Sequence, residues 1–148
     1  MNKKLTEHFN LSELIASDYA ARNGLDNTPT PAIEANLSKV AVVLEAVRAI
    51  YNKPLTVSSG YRSPEVNKGI GGAPDSAHMY GLAADINVPG MTPYDLGVAI
   101  MKSGIVFDQI IHEFGSWVHI AVPADGKKPR GSVLTIKKGT GYMNGWIK

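Results

Sequence analysis

The stretch Ser76-Ala77-His78-Met79-Tyr80-Gly81-Leu82-Ala83-Ala84-Asp85 decides how this chain is read. The step from His78 to Asp85 does not suit one helical face, where neighbours lie three or four residues apart. It does suit a loop and a strand folding back on one another, with Gly81 supplying the sharp turn. An ionised Asp85, flanked by Ala84 and Ile86, is costly to bury without a cation or good hydrogen bonds. A zinc ion removes that cost. Taken singly, a buried histidine or a turn aspartate is ordinary structural material. The joint pattern points to a metal.

The third ligand in this reading is His119, set between Val118 and Ile120 where an imidazole also needs a polar reason to be present. The chain has no cysteine, so any metal is held by histidine and carboxylate. Two imidazoles and one carboxylate leave the fourth tetrahedral position open to water, the layout of a catalytic zinc site. Water activated there needs a base, and Glu113 is the candidate across a hairpin from His119. The turn decides whether the two share a face. A two-residue turn at Gly115-Ser116 places them on opposite faces, and a three-residue loop, Phe114 to Ser116, places them on the same one. With the other parity His112 shares the face of His119 instead. Arg62, in Ser59-Gly60-Tyr61-Arg62-Ser63, ends a strand at a glycine turn and can present its guanidinium to a substrate carboxylate or carbonyl. Ser76 is a possible hydrogen-bond partner for the same substrate. Trp117 reads as core or pocket wall, and His8 as structural.

Outward from this region the elements fall into place. Asn10 or Ser12 can cap a short helix that Asn23-Gly24 ends. Thr30-Pro31 opens a longer one, in which Ile33, Leu37, Val40, Ala41, Leu44 and Val47 recur at three- and four-residue steps as far as Tyr51. Leu55–Ser58 is a short strand, Gly69–Ser76 a loop, and Gly81–Val88 a mostly buried strand. Thr92-Pro93 opens a second helix through about Ser103. The runs Phe107–Glu113 and Trp117–Val122 form a hairpin, and Val133–Ile136 a last strand. Helices early and adjacent strands late predict an α+β fold with a small antiparallel sheet.

A chain of 148 residues has room for one domain with a real core, and residues 1–148 are read as that domain. With 44% hydrophobic and 19% charged residues it is not a disordered chain. No apolar run approaches the ~20 residues that span a bilayer. The first residues lead into no apolar signal region, so synthesis in the cytoplasm without a signal peptide is expected. A net charge of +2 is too small and dispersed for a nucleic-acid partner, although it favours approach to an anionic polymer such as a cell wall.

The string Ser76-x-His78-x-x-Gly81-x-Ala83-x-Asp85 resembles the signature of zinc D-alanyl-D-alanine carboxypeptidase-type peptidases. That family includes D,D-dipeptidases of vancomycin resistance and phage endolysins, and shares its fold with the hedgehog signalling domain. Ser59–Ser63 is similar to the family's arginine segment, and Glu113–His119 to its last element. His8–Leu14 and Asn23–Asn27 resemble a phage and prophage subgroup. The resemblance runs from about residue 8 to residue 122. It implies a hedgehog/D,D-peptidase-like fold with one zinc per chain, bound by His78, Asp85 and His119. It further implies Glu113 as catalytic base, Arg62 facing the oxyanion or substrate, and Ser76 holding the peptide. Some members place the catalytic carboxylate three residues before the last histidine, where this chain has Ser116; the spacing here is closer to the hedgehog-like branch.

The activity so implied is hydrolysis of a peptidoglycan stem-peptide amide, with a monomer as the expected state. Its place of action is the wall, reached after release or within a phage particle. The rival readings are an L-alanyl-D-glutamate endopeptidase acting as an endolysin, and a cell-wall-binding or phage structural module that keeps zinc only for folding.

Overall fold

The computed structural model describes residues 3–148. Its two long helices begin where hydroxyl caps meet proline. In α3 (Pro31–Tyr51) the Thr30 hydroxyl accepts from the Ile33 amide at 3.2 Å, and Asn52 ends the helix at φ 50°. In α5 (Pro93–Ser103) Thr92 caps the Asp95 amide at 3.1 Å and Gly104 ends it at φ 82°. Proline costs nothing at the first helical position, where its missing N–H has no partner anyway. Both helices bury one stripe, Leu37, Val40, Leu44 and Val47 on α3 and Leu96 and Ile100 on α5.

Two features were not foreseen in this part of the chain. The single helix expected before Gly24 is two, α1 (Leu11–Ile15) and α2 (Asp18–Asn23), because Ser17 caps a new start by accepting from the Ala20 amide at 3.1 Å. A third hydroxyl–proline start, Ser63-Pro64, opens α4 (Pro64–Gly69). That helix is too short for a periodic pattern, and the glycines after it conceal it.

Six strands form one sheet in the order β1-β2-β4-β3-β5-β6. They are β1 (Thr56–Ser59), β2 (Ala83–Asn87), β3 (Gln109–Glu113), β4 (Trp117–Ala121), β5 (Ser132–Ile136) and β6 (Met143–Asn144). The sheet is mixed rather than antiparallel, which corrects the expectation from sequence: β5 runs parallel to β3. Alternation of apolar residues marks a strand but says nothing about its direction. The parallel pairing is reached by a crossover through 122–131. Arg130 pins it with a two-pronged ion pair to Asp108, Nη2 to Oδ2 at 2.8 Å and Nε to Oδ1 at 3.2 Å.

Register sorts the strand residues onto two faces. One row crosses Ser59, Asp85, His119, Ile111 and Leu134, with Trp117, Glu113 and Ile136 one step along. On the opposite face Ile86, Val118, Ile110 and Ile120 join the buried side chains of α3 and α5 in one core. The core fixes the sheet from behind. No described helix is long and apolar enough to cross a membrane.

Candidate metal centre

His78 stands on a 3-10 helix (Ala77–Tyr80) that the Ser76 hydroxyl caps, accepting from the His78 amide at 3.2 Å. Gly81 closes that turn at φ 70°, and the chain drops directly into β2. A methyl at Gly81 would collide with the Ile33 side chain and backbone carbonyl, so the turn requires glycine twice over. The fold-back brings His78 onto Asp85, and the register of β2 with β4 sets His119 directly beside it.

The three ligand atoms form a near-equilateral triangle. His78 Nε2 lies 3.2 Å from Asp85 Oδ1, His119 Nδ1 lies 3.1 Å from the same oxygen, and the two nitrogens are 3.2 Å apart. A tetrahedral zinc with ligands at about 2.0–2.1 Å has edges of about 3.3 Å, so the triangle is close to one face of such a site. Proton counting supports a cation. His78 Nδ1 donates to the Gly60 carbonyl at 2.7 Å, which leaves Nε2 a bare lone pair in the neutral ring. With both imidazoles neutral, His119 Nδ1 can bring at most one proton to three converging acceptor-type atoms. Burial holds His78 below its ordinary pKa and so opposes a second proton on its ring. Burial alone would raise the Asp85 pKa, and positive charge beside the carboxyl is what holds it below its usual range. His78, Asp85 and His119 are all buried and are the group of potential ligands found together among the described residues. The donor set and its spacing fit zinc.

The loop of β3–β4 resolves the parity left open by the sequence. Glu113 pairs with Trp117, so Phe114–Ser116 is a three-residue connection and Glu113 shares the face of His119. Its Oε2 lies 4.0 Å from His119 Nδ1, while Oε1 accepts from Trp117 Nε1 at 2.9 Å. Burial, then the charge of Asp85, raise the Glu113 pKa. His112 faces the other way. Its Nδ1 donates to the Ile147 carbonyl at 2.8 Å and its ring lies against Trp146 and Tyr94.

Arg62 reaches the triad from the other side, Nη2 lying 3.9 Å from Asp85 Oδ2. Its backbone amide donates to the His78 carbonyl at 3.1 Å, which ties the arginine segment to the zinc-ligand turn. Burial lowers its pKa, yet a guanidinium starts so high that the charge stays. Its Nε is buried with no hydrogen-bond partner. Nη1 is held by Asn67 Oδ1 at 3.3 Å, and Asn67 Nδ2 donates to the Ala73 carbonyl at 2.8 Å. A methyl on Gly72 would collide with that Asn67 oxygen. Asn67 and Gly72 carried no signal in the sequence. Trp117 carried half of one, since a tryptophan directly across a hairpin from an acid is within reach of it.

The triad, Arg62, Ser76 and Glu113 all line one cleft of about 890 Å³ on the exposed face of the sheet. The structure thus brings together the six residues singled out from sequence, and sets His112 and His8 apart. His8 sits on the surface against Glu45, at 2.7 Å.

Comparison with known proteins agrees with this geometry. A family model described as peptidase M15 matches residues 7–121. The zinc D-Ala-D-Ala carboxypeptidase of Streptomyces albus G is 52% identical over 44 residues, which are 29% of this chain. The aligned part is 17% of that protein's length.

Proposed function

The chain belongs to the peptidase M15 family, and from that premise we propose that it is a zinc-dependent peptidoglycan peptidase of the D-Ala-D-Ala carboxypeptidase type, hydrolysing a stem-peptide amide. The observation that carries the proposal is the buried His78–Asp85–His119 triangle with a carboxylate, Glu113, 4.0 Å from one ligand atom and otherwise free on that side. Zinc held there supplies a Lewis acid that polarises a carbonyl and makes water acidic near neutral pH.

The remaining work falls to the chain. Trp117 engages Glu113 Oε1 and so leaves Oε2 directed towards the triad. Oε2 takes the proton of the attacking water and delivers it to the leaving amine as the C–N bond breaks. Arg62 brings fixed positive charge, carried to the triad by Nη2, to the carbonyl oxygen where negative charge develops. The Ser76 hydroxyl accepts from the His78 amide and keeps its own proton for a carbonyl of the bound peptide. The place of action we infer is the cell wall, reached after release or within a phage particle. Support for it is the likeness of His8–Leu14 and Asn23–Asn27 to phage and prophage sequences.

Purified cell wall, digested with and without chelator and read by mass spectrometry, tests the proposal. Chelator-sensitive loss of a terminal D-alanine from pentapeptide stems is the expected result. Cleavage between L-alanine and D-glutamate instead would make the protein an endopeptidase. No product in either digest would contradict a peptidase and favour a binding module.

A further inference from the structure

The family match ends at Ala121, yet the cleft does not. Residues 123–148 add β5 alongside β3, and this places Leu134 in the same row as His119 and Ile111, and Ile136 beside Glu113. Leu134 and Ile136 are half-buried and line the cleft, and Tyr142 joins them at its mouth. Tyr142 is 57% exposed and contributes to no core, so its ring is available to a ligand in the cleft.

The anchoring is extensive. Thr135 Oγ1 donates to the Gly145 carbonyl at 2.8 Å and accepts from the Ile147 amide at 2.9 Å. Trp146 Nε1 donates to the Tyr94 carbonyl at 2.9 Å, and its ring fills the notch over Gly97 where any side chain would collide. The segment that follows Tyr142 is therefore tied down, and Tyr142 itself lines the cleft. On the sheet floor between Glu113 and Gln109 the side chains are aliphatic, Ile111 and Leu134, and Ile136 continues the row beside Glu113.

We propose that Leu134, Ile136 and Tyr142 form a subsite for one small aliphatic residue of the bound peptide, on the Glu113 side of the metal centre. The inference rests on the peptidase reading and adds a specificity element contributed by the segment beyond the family match. Aliphatic walls select by size and exclude charge, since a charged side chain placed there loses its water without gaining a partner. Tyr142 closes the subsite with its ring, and burial and then the charge of Glu113 raise the pKa of its hydroxyl.

The test uses the full chain loaded with zinc and a series of soluble stem peptides that differ at one position, alanine against glutamate. Tyr142→Ala and Ile136→Thr are expected to raise KM for the alanine peptide about tenfold with kcat within about twofold. Preference for alanine over glutamate should fall by a similar factor. Tyr142→Phe keeps the ring and should retain the wild-type KM. Zinc content should match the wild type in both variants; Tyr142→Ala should keep the melting temperature because Tyr142 is largely exposed, and Ile136→Thr should lower it slightly for the apolar contact it loses. Unchanged KM and preference in both Tyr142→Ala and Ile136→Thr would overturn the subsite while leaving the peptidase intact. A wild type that hydrolyses none of the peptides would overturn the peptidase reading, and the subsite with it.

Discussion

His119 and His112 belong to the same hairpin, are each 6% exposed, and point to opposite faces of one sheet. On the core face a neutral carbonyl takes the His112 Nδ1 proton and aromatic rings lie against its ring. On the cleft face His119 Nδ1 meets a carboxylate oxygen and another imidazole nitrogen at nearly equal distances, an arrangement that too few protons can satisfy. Residue type and burial are the same in both. What separates a structural histidine from a chemical one here is what Nδ1 meets, a single carbonyl for His112 and two converging ligand-type atoms for His119. The cleft face leaves those atoms to a cation.

Substitutions can break this contrast or sharpen it. His119→Ala should abolish zinc binding and lower hydrolysis by about 10³-fold or more, while the fold survives, as checked by metal analysis and circular dichroism. Glu113→Gln should keep stoichiometric zinc and lose about 10²- to 10⁴-fold in kcat, a split that separates proton transfer from metal binding. Gly72→Ala displaces Asn67 and with it Arg62. A loss of about 10- to 100-fold in kcat with zinc retained is expected in steady-state kinetics. Trp117→Phe removes one hydrogen bond to Glu113, and a fall of about 2- to 10-fold is expected. His112→Phe leaves the Ile147 carbonyl unpaired, which should cost about 1–3 kcal/mol in denaturant unfolding. Activity and zinc content in that variant should be unchanged. A His112→Phe protein that lost zinc would break the contrast between the two faces.

Much of this was legible in the sequence because the relevant physics is local. Thr30-Pro31 and Thr92-Pro93 announce helix starts, and the step from His78 through Gly81 to Asp85 suits a fold-back rather than one helix face. The same chemistry at Ser63-Pro64 gives no helix signal in the sequence because α4 is too short to show a period. Pairing between distant segments was the other limit. Nothing in Val133–Ile136 states that β5 runs parallel to β3, and the face of Glu113 depended on one residue of loop length. Asn67 and Gly72 act on Arg62 through contacts that exist only once α4 and its loop have folded. The segment after residue 122 carries no familiar motif, and only the assembled sheet places Tyr142 at the mouth of the cleft.

The most direct test of the account is anomalous diffraction at the zinc edge from crystals of the full chain grown with zinc. The account predicts one strong peak, about 2.0–2.1 Å from His78 Nε2, Asp85 Oδ1 and His119 Nδ1 together. Full-occupancy zinc elsewhere, with that triangle empty, would contradict it.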